Sequence, residues 1–506
     1  MDKTINQTDS ETDKLLITNC EVETNERKTI QENFEFFGLT CILYAIFYTF
    51  CMYKNDAGIT VPLLQAGTIF FFSLVIKKLG KKMKKDRSFY IISIMLLGIS
   101  ICLTDDFRLN VLSKLGIAVL FMSFMLHHFY DDSKWSLGKY LEALITLCIS
   151  MLLSVEYSFV DVVVSIKSKQ KKGNTQIRYI LIGIGIAVPL TLIIMILLLS
   201  ADRIFAAIIA NLFHNLFAFK SVIYIILMIT FTYIVVYCFI NALAKRRINE
   251  EITDKRVQEP MIAITFAGII SVIYLLFCGI QIMGLFFDQL KLPENYTYAQ
   301  YAREGFFQLL FVCGINLIMV LCCMAFFRES KLLKGILTVI SVCTYIMTAS
   351  SAYRMIIYIS VYQLTFLRIL VLWSLFVIAL IMFGILISIY REKFPLFKYG
   401  MIVVTICYIE LAYSHPDYII ASYNMNTIVI KAQEERQQIN YENYGDLFYF
   451  TTLSADAAPV LAKYQSNQQV KEYFSNLKND LENLNVRTYN VSRFIAKKVA
   501  ADLNKQ

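Results

Sequence analysis

Charge is in short supply in this chain. Asp, Glu, Lys and Arg make up 17% of the 506 residues, where a soluble domain carries about a quarter. A coiled-coil array, which needs charge to coat it, is excluded on that ground, as is a disordered polymer. Seven prolines and 19 glycines exclude a collagen-like repeat. The only histidines are His127, His128, His214 and His415, with no HExxH and no spaced cluster, which argues against a zinc hydrolase. Twelve cysteines form no CxxC pair, and the last 93 residues contain none. A disulfide framework and a metal knuckle both lack their spacing, so the cysteines read as small buried hydrophobes. No GxSxG elbow is present. Gly138-Lys139-Tyr140 lacks the glycine-rich loop and the Ser or Thr that a phosphate-binding loop requires. No catalytic constellation is visible, and neither a metal nor a cofactor is expected.

What the chain has in quantity is apolar surface: 57% hydrophobic residues, 38 Phe and 31 Tyr, with a mean hydropathy of +0.56. A bilayer core of roughly 30 Å needs about 20 mostly apolar helical residues. Eleven stretches reach or approach that length, at 34–53, 59–76, 89–103, 109–127, 179–199, 222–243, 261–287, 306–327, 335–358, 365–389 and 399–413. Lipid offers the backbone no hydrogen-bond partner, so continuous runs of this kind must be helices. The fold class is all-α, a polytopic transmembrane bundle of about eleven spans with the lipid bilayer as its first partner.

Basic residues mark alternate loops. Residues 77–87 carry seven, 166–178 five and 244–260 another five; with Lys134, Lys139 and the groups near 328–334 and 391–398, one side collects 25 and the other nine. Basic loops stay cytoplasmic. The expected orientation in the cell (plasma) membrane is therefore N-terminus inside and C-terminus outside. The net charge of +9 is explained by topology, and no nucleic-acid partner is expected. Residues 139–166 break the alternation with a half-length apolar run interrupted by Glu142, Glu156 and Asp161. Charge parity makes this a re-entrant or interfacial segment, or a short hairpin, that enters and leaves on one side. Residues 200–220, with Ile204, Ile208, Phe213 and Phe217, read as an amphipathic helix on the outer surface.

The ends differ in composition. Residues 1–32, with eight acidic and four basic residues, read as a disordered cytoplasmic tail. Residues 33–413 form the membrane part. Residues 414–506 balance ten basic against ten acidic residues and read as a small, mostly helical extracytoplasmic domain that packs on the bundle. Ser454 is placed to cap a helix. Val470, Phe474, Leu477, Leu481 and Leu484 share one helical face, as do Val491, Ile495, Val499 and Leu503.

Four blocks, LLLSADRIFAAII (197–209), YAQYAREGFFQLLFVCGINL (298–317), SAYRMIIYISVYQLTFLRILVLW (351–373) and HPDYIIASYNM with LSADAAPVL (415–425 and 453–461), resemble in order and separation a bacterial multi-pass family known as domain of unknown function 4173. His415-Pro416-Asp417 stands where that family usually has Asn-Pro-Asp. The resemblance implies a bacterial envelope protein and supplies no substrate or catalytic residue.

Candidate site residues are the ionisable groups near the outer span ends. Asp105 and Asp106 close the third span, and Asp202 follows the fifth. Arg303 and Glu304 open the eighth, Arg354 lies near the end of the ninth, and Arg368 begins the tenth. Glu410 sits inside the last span and Asp417 just after it. A charge in lipid needs a partner or a wet cavity. The expectation is an outward-facing polar pocket in which Arg354 or Arg368 pairs with Glu410. The plainer alternative is a set of structural ion pairs, with Gln281 and Asn316 as polar cross-links. Three function classes remain: an envelope interaction, sensing or scaffold protein with a protein partner; a transporter of a small solute or lipid-like substrate; and a membrane-embedded enzyme, the least supported.

Overall fold

A computed structural model gives the fold. It describes residues 24–84, 86–132, 135–168, 197–205, 217–250, 256–286, 298–391, 393–434, 447–465, 467–482 and 485–503, with isolated positions between 183 and 195. The described residues form helices α1 (Asn25–Glu32), α2 (Phe34–Met52), α3 (Thr60–Lys78), α4 (Arg87–Leu103), α5 (Phe107–Phe129), α6 (Leu137–Leu152), α7 (Tyr157–Ser168) and α8 (Phe217–Ala244). They continue as α9 (Pro260–Phe286), α10 (Tyr298–Phe326), α11 (Lys331–Tyr362), α12 (Phe366–Tyr390), α13 (Leu396–Tyr413) and α14 (Pro416–Glu434). Short helical turns follow from 447 to 464, then α15 (Gln468–Glu482) and α16 (Val491–Leu503).

Among the described residues nine helices are long and apolar enough to cross a bilayer, with mean hydropathies from 1.5 to 2.9, and α4 is a shorter tenth. The span expected over 179–199 lies largely outside the described residues, as does most of the amphipathic stretch over 200–220. The solvent of these helices is visible in what they leave uncovered. On α2, Leu39, Ile42, Leu43, Ile46 and Phe50 form one stripe, each 44–60% exposed, while Phe37, Cys41, Tyr44 and Ala45 are buried on the opposite face. Such a stripe facing water would be a large uncompensated apolar patch; facing acyl chains it costs nothing.

The helices pack as two groups. In the first, aromatic rings tie α2, α3, α5 and α8 together: Tyr44 stacks on Phe71 at 4.6 Å, and Phe72 meets Phe121 at 4.8 Å and Phe239 at 5.6 Å, both edge-on. In the second, buried Ala263 and Ala267 of α9 bring that helix close to Leu337 and Ile340 of α11, as small residues do between helices in lipid. Asn316 is a cross-link here, as expected. It accepts from Tyr274 Oη at 2.7 Å and donates to Thr344 Oγ1 at 2.9 Å. Helix α13 joins the groups: Trp373 Nε1 donates to the Cys407 carbonyl, while Tyr408 and Tyr413 donate to the carbonyls of Leu109 and Leu96.

The loops after α3, α5, α8, α10 and α12 gather at one end of the bundle, here the basic end. The turns 53–59, 104–106, 363–365 and 414–415 gather at the other, where 447–503 pack. Helices α6 and α7 stay at the basic end. Tyr140 near the start of α6 stacks on Phe397 at 3.8 Å. Tyr157, at the start of α7, lies under Arg27 at 4.4 Å and Lys245 at 4.2 Å. With both its ends anchored there, α6 lies across the bundle, Tyr140, Ala143, Leu147 and Ser150 inward and Leu141, Ile145, Ile149 and Leu152 exposed. This is the interfacial arrangement among those the charge pattern allowed.

Two expectations need correction. The tail expected to be disordered over 1–32 contains α1, started by the Thr24 side chain. It is held because Arg27 finds a buried carboxylate in α7. The face of α16 turned inward is Ser492 and Ala496, while Ile495 is 42% exposed. Small side chains let α16 sit against the turn at 455–457, which Ile495 would hold away.

Candidate functional site

Three of the candidate residues, Asp105, Asp106 and Asp417, come together where the C-terminal segment meets the bundle. Helix α4 ends at Leu103, Thr104 turns extended, and Asp106 caps α5 by accepting from the Arg108 amide at 2.8 Å. One turn on, the Arg108 guanidinium returns to Asp106 and reaches Asp417 Oδ1 at 2.6 Å, lying 3.9 Å from the ring centre of Phe366. Asp417 sits in the first turn of α14 because Pro416 opens that helix after a sharp turn at His415, whose φ is +48°. Its other oxygen accepts from the Ser454 amide at 2.8 Å. Asp456 receives Thr104 Oγ1, Ser454 Oγ at 3.2 Å and His415 Nδ1 at 3.1 Å. Asp105 receives Arg493 Nε at 2.6 Å. Asn490 is buried and donates through Nδ2 to the carbonyls of Ala57, Ile101 and Thr104, clasping two turns of the bundle at once.

Burial sets the proton affinities of this seam. It pushes the Asp105 carboxyl up to about 6, with Arg493 opposing and Asp456 adding to the rise. Burial and the neighbouring Asp106 likewise raise Asp417, against Arg108 and Ser454. His415 is raised by its bond to Asp456. Burial alone would raise Asp456, but bonds from His415, Ser492 and Thr104 hold it below the usual carboxylate range.

The remaining candidates are scattered. Asp202 is exposed and caps its own turn, accepting from the Ile204 and Phe205 amides. Arg303 and Glu304 lie in α10, and their side chains fall outside the described residues. Arg368 donates to the carbonyls of Tyr362 and Gln363 and lies 4.5 Å over the Tyr358 ring, closing the end of α11. Glu410 is exposed on α13 while Cys407 and Leu411 are buried. Among the described residues no ion pair joins it to Arg354 or Arg368. The expected pairing is therefore corrected: each arginine is engaged on its own side of the bundle.

Arg354 is buried in the second helix group. Its Nη2 donates to Gln281 Oε1 at 3.0 Å, and the same oxygen accepts from Ser350 Oγ at 2.6 Å. Beside it lies a cavity of about 320 Å³ lined by Ile273, Tyr274, Phe277, Gln308, Leu309 and Met347, among others. Gly305 belongs to the wall for a steric reason: a Cβ there would stand 1.9 Å from Arg354 Nη1.

Sequence reasoning missed two buried assemblies at the basic end. Arg27 grips Asp161 with two bonds of 2.7 and 2.6 Å, and Tyr237 Oη donates to the same carboxylate at 2.7 Å. Asp132 takes His127 Nδ1 at 2.8 Å and the Tyr140 hydroxyl, with Lys84 at 3.7 Å. The signal for the first was Asp161 itself, a carboxylate inside an apolar run. Among the described residues no group of three or more His, Cys, Asp or Glu is placed to hold a metal ion.

Lipid-facing stripes on bilayer-length helices define a multi-pass integral membrane protein. The chain belongs to the family described as Domain of unknown function (DUF4153), whose model matches residues 91–464. The resemblance drawn from the four sequence blocks carried a different number, 4173, which this match does not show. No curated protein and no solved structure matches the chain.

Proposed function

We propose that this protein is an envelope sensing and interaction protein. Its C-terminal segment is an extracytoplasmic element latched to the bundle, released or retained according to conditions outside the bacterial plasma membrane. The basic loops support an orientation with the N-terminus in the cytoplasm and the latch outside. One observation carries the reading: buried titratable side chains, and not an apolar face alone, join the segment to the turns of α2–α5. Asp105 faces Arg493 and Asp456, Asp417 faces Arg108 and Asp106, and His415 faces Asp456.

The sign of the response follows from linkage. A carboxyl raised from 3.8 to about 6 in the docked state holds a proton there that the released state gives up, so docking weakens as pH rises across that window, by up to about 3 kcal/mol. The raised Asp417 acts in the same direction. The raised His415 stabilises docking fully below 6.5, and that contribution is lost as pH climbs through its docked value. Only Asp456, held low, opposes, and it does so in strong acid. Docking is tightest in mild acid and loosens toward alkaline pH. The test is hydrogen exchange of residues 447–503 and of the Ile59 amide, which donates to the Tyr489 carbonyl, in nanodiscs at pH 4.5 and 7.5, corrected for intrinsic rates. Exchange at least about tenfold faster at pH 7.5 than at pH 4.5, with most of the difference gone in Asp105→Asn, is expected. Equal protection at both pH values in parent and variant sinks the reading.

Transport is the second reading, and the cavity beside Arg354 favours it. No reaction is assigned to the protein.

A further inference from the structure

We propose that the groove between the end of α2 and the face of α8 beside it is a binding site for one anionic phospholipid, with its phosphate at Lys54 and one acyl chain along Leu227, Met228 and Phe231. The site lies at the end of the bundle that carries 447–503. It uses none of the titratable groups of the latch, so it stands or falls apart from the pH response.

Depth places the head. Helix α2 has 19 residues, roughly 28 Å at 1.5 Å each, close to a hydrocarbon thickness of about 30 Å. Its exposed apolar stripe continues to Phe50, and the helix stops at Met52. Tyr53 and Lys54 therefore stand where acyl chains give way to headgroups, the level at which tyrosines gather.

The turn beyond α2 holds a cation at that level. Lys54 has a left-handed backbone, φ +52°, which glycine or asparagine adopts at lower cost. The turn is pinned on both sides of it. The Asn55 amide donates to the Met52 carbonyl at 3.1 Å, and Asn55 Nδ2 donates to the Arg487 carbonyl at 3.2 Å. The Arg487 guanidinium donates in return to the carbonyls of Phe50 and Tyr53 at 3.1 and 2.7 Å. Lys54 is exposed. Its Nζ lies 5.5 Å from the centre of the Tyr53 ring, and among the described residues no carboxylate pairs with it. Asp56, the nearest carboxylate in sequence, faces Lys114 at 3.5 Å. Three cations thus stand around this turn against one carboxylate.

The groove below accepts the chain. It encloses about 480 Å³ between Tyr53, Lys54, Tyr224, Leu227, Met228 and Phe231. The four residues of α8 follow at three- and four-residue steps, forming one face about 10 Å long. Tyr224 and Phe231 bound it, 63% and 70% exposed, with half-buried Leu227 and Met228 as the floor between them. Tyr53 Oη is buried in the wall with no hydrogen-bond partner among the described residues, a donor left over for an acceptor that enters beside it. An ammonium is the point charge that suits a phosphate, and a hydroxyl adds a directed bond to the same oxygens. Polar groups gathered at one end of an apolar groove fit a ligand with a long apolar body and one negative end.

The experiment is photo-cross-linking of the full-length protein in phosphatidylcholine nanodiscs doped with phosphatidylglycerol carrying a diazirine on one chain, or with the matching phosphatidylcholine probe. Any lipid labels an exposed helix face, so label on residues 224–231 is divided by label on the exposed stretch 269–276 of α9 in the same sample. That ratio is expected to be about fivefold higher for phosphatidylglycerol, the factor one basic residue supplies at a lipid surface. Lys54→Gln, a change in an exposed turn, should bring the two probes together, while Lys54→Arg should keep most of the difference. Met228→Trp fills the floor, leaves the charge in place and should lower the ratio for both probes. Equal ratios in the parent, a preference that survives Lys54→Gln, or parent-like labelling of Met228→Trp overturns the site. Loss of the preference in inorganic phosphate, but not in chloride of equal ionic strength, overturns the lipid as its occupant.

Discussion

Arg27 and Arg354 are both buried arginines, one closed in among side chains and the other in the wall of a cavity. Arg27, 2% exposed, is gripped by a carboxylate that is itself fully buried, with a tyrosine hydroxyl completing the acceptor and an aromatic ring above the cation. Arg354 is held by a neutral amide and borders a cavity. The first arrangement fastens α1 to α7 and α8. The second sets a guanidinium in the wall of a cavity between helices. In a low-dielectric interior a closed ion pair is a fixture whose halves cannot be separated cheaply.

That contrast can be broken in graded steps. Asp161→Asn leaves the Arg27 charge buried without its counterion and should cost about 3–5 kcal/mol, read by thermal unfolding in detergent; Arg27→Met with Asp161→Leu should recover most of it. If the single change costs under about 1 kcal/mol, the Arg27–Asp161 pair does not fasten α1 as described. Gly305→Ala forces a methyl group into the guanidinium of Arg354 and should cost about 1–3 kcal/mol, read by the same thermal unfolding. Asn490→Ala removes three donor contacts to carbonyls and should lower docking of 447–503 by about 1–3 kcal/mol, visible as local exchange while the α9–α12 group keeps its protection. The smallest effect belongs to Lys114→Ala. Its partner Asp56 is 93% exposed at 3.5 Å, so stability should move by a few tenths of a kcal/mol at most.

The helices were the legible part of the fold. The expected span over 365–389 is α12 at Phe366–Tyr390, and 59–76 is α3 at Thr60–Lys78, because lipid imposes an unbroken apolar run that any reader of the sequence can find. Helix α11 runs past its expected limits of 335–358 at both ends. Lys331 and Lys334 lower the local hydropathy without interrupting the backbone ladder. Of the candidate site, Asp105, Asp106 and Asp417 could be grouped by their common place at span ends. Their partners could not: Arg493 is 388 residues from Asp105, and His415 meets Asp456 across 41, distances over which sequence carries no local signal. Glu410 shows the converse error. A carboxylate in an apolar helix suggested a buried partner, yet it lies on the exposed side of α13.

The family match spans 91–464, and the stretches on either side of it find each other: Asn55 and Ile59 bond the backbone at Arg487 and Tyr489. This clasp imposes an order of events on biogenesis. Asn490 follows Thr104 by 386 residues, roughly 20–80 s of synthesis at about 5–20 residues per second. For all that time the carbonyls of Ala57, Ile101 and Thr104 wait without the amide that will bridge them. The rim of the bundle is shut by residues made long after the spans it joins, so a chain stopped before Asn490 would insert those spans and still leave the bundle with an unfinished edge.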